Sequence, residues 1–264
     1  YAYFPKFIKS ILNNLCFIAA QGQQDHDNFH KLGIDLTDVH KIGNLKYEIS
    51  LPTNVIEQSK AMRVMWGNNR QVLVAGSTHE GEEEIILQST HLIQSKFPNL
   101  LLVLVPRHPE RFDRVAGLAH RAGFKTHRHS DHLTCTSDIQ VLIVDTMGEL
   151  PLFYAACDIA IVGGSLIPHG GHNLLEPAAL GRAIITGPHF FNFNDITKQF
   201  LQAHAAIEVS DIKTLSDSVS NLLVNPKQRA QMGEKAIELI ANSRGASLRL
   251  LELLKQYIVI HDPE

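Results

Sequence analysis

The fold is decided by residues 158–181, which read DIAIVGGSLIPHGGHNLLEPAALG. The apolar run at 158–162 predicts a buried strand, and residues 174–180 predict a short helix that ends at Gly181. A glycine-rich turn between a strand and a helix lets the backbone approach an anion, which the free N–H groups and the helix dipole attract. The stretch therefore predicts an α/β fold with a phosphate-binding loop, although a glycine turn that only packs has the same pattern.

Apolar strands and amphipathic helices alternate on both sides of this stretch. The pattern predicts strands at 16–20, 39–44, 72–75, 100–105, 124–127, 141–144, 183–186 and 206–209, and helices at 24–32, 82–96, 110–122, from about 150 to 157 and in pieces from 211 onward. Strands that are apolar throughout are buried on both faces. The alternation therefore predicts a Rossmann-like parallel sheet covered by helices.

The pattern also divides the chain into segments. Residues 1–50 carry only the end of a βαβ pattern and predict the tail of an N-terminal Rossmann-like domain. We expect a linker at 51–69, a nucleotide-binding domain at 70–245 and a C-terminal helix at 246–264. The chain has no initiator methionine and begins inside an amphipathic segment, residues 1–15, so we expect a fragment of a longer protein.

Composition excludes several classes of protein. The net charge of −3 argues against a nucleic-acid binder, and the three scattered cysteines argue against a disulfide framework and fit a reducing compartment. No apolar run is long enough to span a membrane, so we expect a soluble chain. The 15 histidines show no metal-binding motif, so we expect neither a metal ion nor a cofactor.

Four loops follow predicted strands, at residues 76–78, 106–108, 146–149 and 163–176. Ligands of parallel sheets bind beyond the carboxyl ends of the strands, so we expect these loops to meet at one edge. The candidate ligand-binding residues are Ser77, Thr78, Arg107, His108, Met147, Gly148, Glu149, Gly164, Asn173, Leu174, Leu175 and Glu176.

The residue types suggest individual roles. The Arg107 guanidinium can bind a phosphate through two N–H groups, although an ordinary surface arginine fits the same position. Glu176 can accept hydrogen bonds from ribose hydroxyls. Asn173 fits a helix N-cap, and Glu149 fits either a ligand contact or the dipole of the next helix. No nucleophile–base pair is evident, so a catalytic base is expected outside this chain.

Four motifs carry a resemblance to a known family: PRHPER at 106–111, DTMGEL at 145–150, GGS at 163–165 and HNLLEP at 172–177. In this order they resemble the second half of bacterial Kdo (3-deoxy-D-manno-octulosonic acid) transferases. The short runs AAQ at 19–21 and GNLK at 43–46 resemble the end of that family's first domain, so the resemblance covers nearly the whole chain.

The resemblance implies a GT-B glycosyltransferase, with two Rossmann-like domains and CMP-Kdo as the donor. It implies CMP contacts from Arg107 and His108, from residues 147–149 and from residues 173–176. It also implies an inverting, metal-independent transfer to a lipid A precursor, lipid IVA, at the cytoplasmic face of the Gram-negative inner membrane. The family's base and membrane anchor lie in the first domain, so no residue here inherits the base role.

Two alternatives remain open at this point. One is a related GT-B transferase or epimerase that uses a UDP-sugar. The other is a nucleotide-binding module without catalytic activity.

Overall fold

The computed structural model describes residues 5–12, 14–35, 38–133 and 135–257. They divide into unit 1, Tyr1–Ser50 with Ile240–Glu264, and unit 2, Leu51–Leu239. Residues 1–4, where the predicted amphipathic segment begins, and residues 258–264, at the end of the predicted C-terminal helix, lie outside the described residues.

The helices and strands alternate along most of the chain. The helices are α1 (Pro5–Leu12), α2 (Gln23–Lys31), α3 (Val55–Trp66), α4 (Glu82–Gln94), α5 (Phe112–Arg121), α6 (Leu150–Ala156), α7 (Leu175–Ala179), α8 (Asn194–Gln202), α9 (Ile212–Val224), α10 (Pro226–Ser243) and α11 (Ala246–Lys255). The strands are β1 (Ile18–Ala20), β2 (Val39–Lys41), β3 (Val72–Thr78), β4 (Leu101–Pro106), β5 (Thr126–Arg128), β6 (Val141–Ile143), β7 (Ile159–Val162), β8 (Ala183–Thr186) and β9 (Ala206–Glu208).

Unit 1 contains a small parallel sheet made of β1 and β2. Its buried core consists of Ile18, Ala20, Ile34 and Val39, and Phe29 of α2 packs against them. This is the short βαβ element that the sequence predicts for residues 1–50.

Unit 2 is built on a seven-stranded sheet in the order β5-β6-β4-β3-β7-β8-β9. Every neighbouring pair is parallel, so the predicted Rossmann-like sheet is confirmed. Successive side chains of β3 point to opposite faces: Leu73 packs with Ile86 of α4, whereas Val72 packs with Phe153 of α6. Burial on both faces explains why these strands are apolar throughout.

The strand order places a crevice beside β3. The chain first leaves β3 toward β4 and later returns on its other side at β7. Connections therefore diverge above the carboxyl ends of β3 and β7, at the point where ligands bind in such sheets.

Several predicted boundaries are corrected. Residues 55–66 form α3 rather than a linker, because Val55, Ser59, Met62 and Trp66 lie on one buried face. Helix α11 begins at Ala246, where the sequence predicts the start of the C-terminal helix, whereas unit 2 ends at Leu239, within α10. Strand β3 continues through Ser77 and Thr78, because pairing with β4 resumes after a register shift. The sequence analysis predicts no helix where the structure has α8.

Candidate functional site

A cavity of about 400 Å³ lies at the carboxyl edge of the large sheet. We call it the edge pocket. Its wall consists of Ser77, Val105, Pro106, Arg107, Thr146, Met147, Gly148, Leu150, Pro151, Tyr154, His172, Asn173, Glu176 and Phe193. The loops after β3, β4, β6 and β7 all contribute, as the sequence predicts. The volume is within the range of small-molecule sites.

The edge pocket separates the predicted site residues into two groups. Its wall includes Ser77, Arg107, Met147, Gly148, Asn173 and Glu176. The wall does not include Thr78, His108, Glu149, Gly164, Leu174 or Leu175. The other eight wall residues were not among the predicted site residues, and they include Tyr154 and His172.

Glu176 is half-buried in the wall, on the short helix α7. Burial raises the pKa of its carboxyl, while the hydrogen bond with Asn173 and the positive charge of Arg107 act in the opposite direction. One cavity therefore contains the Glu176 carboxylate, which can accept hydrogen bonds from hydroxyl groups, and the Arg107 guanidinium, which can bind a phosphate.

Asn173 caps α7 from one position before the N-cap itself. The N-cap is Leu174, and the Asn173 side-chain oxygen accepts the N–H of Leu175 at 3.1 Å. The N–H group of Leu175 is therefore engaged within the protein. Leu174 and Leu175 are both buried, so their side chains serve packing.

The glycine-rich loop, residues 163–173, holds a protein carboxylate instead of a ligand phosphate. Glu82 is fully buried, and its carboxylate accepts the N–H groups of Gly164, Ser165 and Leu166 at 2.6, 3.0 and 2.9 Å. It also accepts the N–H of His79 at 3.0 Å. The N–H of Gly164, a candidate ligand-binding residue, is therefore engaged by Glu82 within the protein.

A second buried glutamate of α4 fixes the neighbouring loop. The Glu83 carboxylate accepts two hydrogen bonds from the Arg111 guanidinium, at 2.8 and 3.0 Å. It also accepts the Thr78 hydroxyl at 2.8 Å. Thr78 is fully buried, so its hydroxyl serves this network and not the edge pocket, contrary to the prediction. Together the two glutamates fix the loops after β3, β4 and β7 before any ligand arrives.

The loops after β3 and β7 also touch directly. A Cβ atom at Gly163 would lie 2.5 Å from the backbone oxygen of Ser77, so only glycine fits there. Ser77 itself adopts a left-handed conformation with φ of 56°. Such strain in a non-glycine residue is concentrated at functional sites.

Arg107 and His108 are adjacent in sequence, but only Arg107 is part of the pocket wall. The backbone N–H of Arg107 donates to the Thr78 oxygen at 3.0 Å, which fixes the residue as part of the wall. His108 lies outside the wall, with Nδ1 3.9 Å from the Glu110 carboxylate. The loop after β6 shows the same division: Gly148 lines the pocket, whereas the Glu149 carboxylate accepts the Thr146 hydroxyl and lies 3.5 Å from His129.

Three histidines meet beside the edge pocket. The Nε2 atoms of His79 and His172 are 2.6 Å apart, and the His169 ring stacks on His79 with centroids 3.7 Å apart. Burial, followed by neighbouring positive groups, lowers the pKa of both His79 and His172 to about 4. Sequence spacing gave no signal of this histidine cluster, because the fold alone brings residue 79 to residue 172.

No helix in the described part of the chain is both long and apolar enough to cross a membrane.

Comparison with known proteins gives matches over both units. The family described as "Glycosyl transferases group 1" matches residues 69–239, and the family "3-Deoxy-D-manno-octulosonic-acid transferase (kdotransferase)" matches residues 1–49. The chain is 39% identical to the 3-deoxy-D-manno-octulosonic acid transferase of Haemophilus influenzae and 35% identical to that of Bordetella pertussis. Each match covers 95% of this chain and 59% of the relative's length.

A solved structure agrees with these matches. The C-terminal CMP-Kdo binding domain of WaaA from Acinetobacter baumannii superposes with a TM-score of 0.69 and 35% sequence identity. The match covers 72% of this chain and 99% of that domain. The chain therefore belongs to the group 1 glycosyl transferases, and its resemblance to the bacterial Kdo transferases is confirmed.

Proposed function

We propose that this chain is the donor-binding part of a Kdo transferase and that its edge pocket binds CMP-Kdo. The observation that carries the proposal is the placement of Arg107, Gly148 and Glu176 in one cavity beside the strand-order reversal. The similar WaaA domain is described as binding CMP-Kdo, which supports the same donor here.

The pocket chemistry fits a nucleotide that leaves during transfer. Glu176 accepts hydrogen bonds from the ribose hydroxyls, and the positive charge of Arg107 stabilises the negative charge that grows on the phosphate. The acceptor hydroxyl attacks the anomeric carbon of Kdo on the face opposite CMP. A carbon–oxygen bond to the acceptor forms, the bond to the phosphate breaks, and the sugar configuration inverts.

The hydroxyl proton goes to a carboxylate base outside this chain. The relatives are longer than the chain, and the resemblance implies that the base and the membrane anchor belong to the first domain. In this proposal the acceptor is lipid IVA, a lipid A precursor, at the cytoplasmic face of the Gram-negative inner membrane. In this proposal Arg107 stabilises the leaving group, and the transfer step is metal-independent, as the resemblance implies.

A transfer assay tests this proposal. CMP-Kdo and lipid IVA are incubated with this chain and, separately, with the full-length protein that contains the preceding domain. We expect the full-length protein to produce Kdo-modified lipid and this chain to produce none. In the full-length protein, Glu176→Gln should lower the transfer rate at least about tenfold. The matched control is Glu80→Gln, because that exposed carboxylate pairs with Arg114 and lies outside the pocket wall.

Other outcomes of this assay would contradict the proposal. Transfer by the isolated chain would place the base within it. Transfer from a UDP-sugar, with none from CMP-Kdo, would favour the alternative donor. Neither transfer nor donor hydrolysis by the full-length protein would favour a nucleotide-binding module.

A further inference from the structure

The histidine cluster, His79, His169 and His172, has the composition of a transition-metal site. One ring nitrogen from each histidine can be chosen so that all three atoms lie within 4.8 Å of one another. His79 is buried, His172 is half-buried and His169 is exposed, so the cluster is anchored on one side and open on the other. Three imidazoles with an open side are the protein ligands of many tetrahedral zinc sites.

The local charges restrict which cations fit. Arg107 and Arg111 lie close enough to act on the histidines, and both repel a cation. The cluster itself contains no carboxylate, which hard ions such as Mg²⁺ and Ca²⁺ require. Imidazole nitrogen forms its strong bonds with zinc, cobalt, nickel and copper ions. The site therefore selects for borderline transition metals.

Binding needs only a local adjustment. Two imidazole nitrogens on one tetrahedral zinc ion are about 3.3 Å apart. The Nε2 atoms of His79 and His172 are now 2.6 Å apart and share a hydrogen bond, with nearly coplanar rings. Rotation of the half-buried His172 ring opens this pair, and the exposed His169 ring is free to turn toward the same point. The His79 main chain is held in place, because its backbone N–H donates to the Glu82 carboxylate, and its side chain is buried.

We propose that His79, His169 and His172 bind one divalent transition-metal ion of the zinc class, with water in the fourth position. The ion would lie at the side of the edge pocket, because His172 is part of the pocket wall. This inference is independent of the proposed donor, since it depends on the three imidazoles alone.

The test uses cobalt as a spectroscopic probe of the whole chain, purified without a histidine tag. We expect one Co²⁺ ion per chain, with the intense visible absorption of tetrahedral cobalt, and displacement by one equivalent of Zn²⁺ but not by excess Mg²⁺. His169→Gln and His172→Gln are each expected to weaken binding by at least about tenfold. His169 is exposed, so its variant tests the site without disturbing the core.

The matched control is His120→Gln, an exposed histidine of α5 outside the cluster, which should bind cobalt like the unmodified chain. The proposal is overturned if the unmodified chain shows no tetrahedral cobalt spectrum. It is equally overturned if His169→Gln and His172→Gln bind cobalt as tightly as His120→Gln.

Discussion

Glu82 is the residue on which the shape of the glycine-rich loop depends. Its carboxylate accepts four backbone N–H groups, which in a phosphate-binding loop would face the ligand. The Glu82 carboxylate therefore takes the position that the phosphate of a ligand would have in such a loop. The glycine-rich loop is held closed around α4, and Arg107 is left as the residue of the pocket wall that offers a positive charge to a phosphate.

Glu82→Gln should destabilise the chain by about 2–4 kcal/mol. One of the two acceptor oxygens becomes an NH₂ group, so two buried N–H donors lose their partner, and each loss costs about 1–3 kcal/mol, partly offset by removal of a buried charge. Urea unfolding measures the difference. The control Glu80→Gln removes an exposed ion pair with Arg114 and should change stability by less than about 1 kcal/mol. Equal effects of the two substitutions would contradict the role assigned to Glu82.

The ionisation of Glu176 should appear in the pH dependence of nucleotide binding. Burial raises its pKa above the ordinary value of 4.5, and only the ionised form accepts hydrogen bonds through both oxygens. CMP affinity should therefore fall as the pH decreases through this raised pKa. Protonation of His79 and His172, near pH 4, adds positive charge and acts in the opposite direction.

Calorimetric titrations between pH 7.5 and 4.5 check this prediction. Glu176→Gln should bind CMP about 10–100-fold more weakly at pH 7.5 and should lack this pH step. The phosphate of CMP titrates identically in both experiments, so the difference isolates Glu176. An identical pH dependence in Glu176→Gln and in the unmodified chain would assign the step to another group.

At the scale of elements, the contact between the ends of β3 and β7 forms the floor of the site. Gly163→Ala would place a Cβ atom 2.5 Å from the Ser77 backbone oxygen, so one of the two strand ends must shift. We expect a loss of stability of about 1–3 kcal/mol, together with weaker CMP binding, since Ser77 is in the pocket wall.

The matched control for this substitution is Gly117→Ala. Gly117 lies within α5, where an added Cβ meets only the flexible end of Arg121, and alanine in a helix is favoured by about 0.5–1 kcal/mol. The free energy of unfolding measured in urea should decrease for Gly163→Ala and increase for Gly117→Ala. A stable Gly163→Ala chain with unchanged CMP affinity would show that this contact is not needed.

Helices and strands were predictable from sequence where a local feature, such as an apolar run or a proline or glycine, determines their bounds. Strand β8 has the predicted bounds, and the chain after residue 211 forms separate helices, as expected. Helix α3 was mistaken for a linker because its buried face includes Ser59 and a polar sequence surrounds it. The Glu82 bonds and the histidine cluster escaped prediction, since both join residues more than 80 positions apart.

At the scale of the whole molecule, unit 2 contains the complete edge pocket and two extensive core clusters. We expect residues 51–245, which keep α10 whole, to fold alone and to bind CMP within about threefold of the affinity of the full chain. The isolated WaaA domain that this chain resembles supports the expectation. Circular dichroism and calorimetry provide the measurement, and an unfolded segment would show that unit 1 is required for stability.

Binding of a cytidine nucleotide in the edge pocket should depend on Glu176 and Arg107. The most direct test is calorimetric titration of the chain with CMP, UMP and UDP, repeated for Glu176→Ala and Arg107→Ala, with Arg114→Ala as the exposed-arginine control. We expect selective binding of CMP that weakens at least about tenfold in the first two variants and is unchanged in the control. Preference for UMP or UDP, or CMP binding unaffected by both substitutions, would show that the edge pocket is not the cytidine nucleotide site.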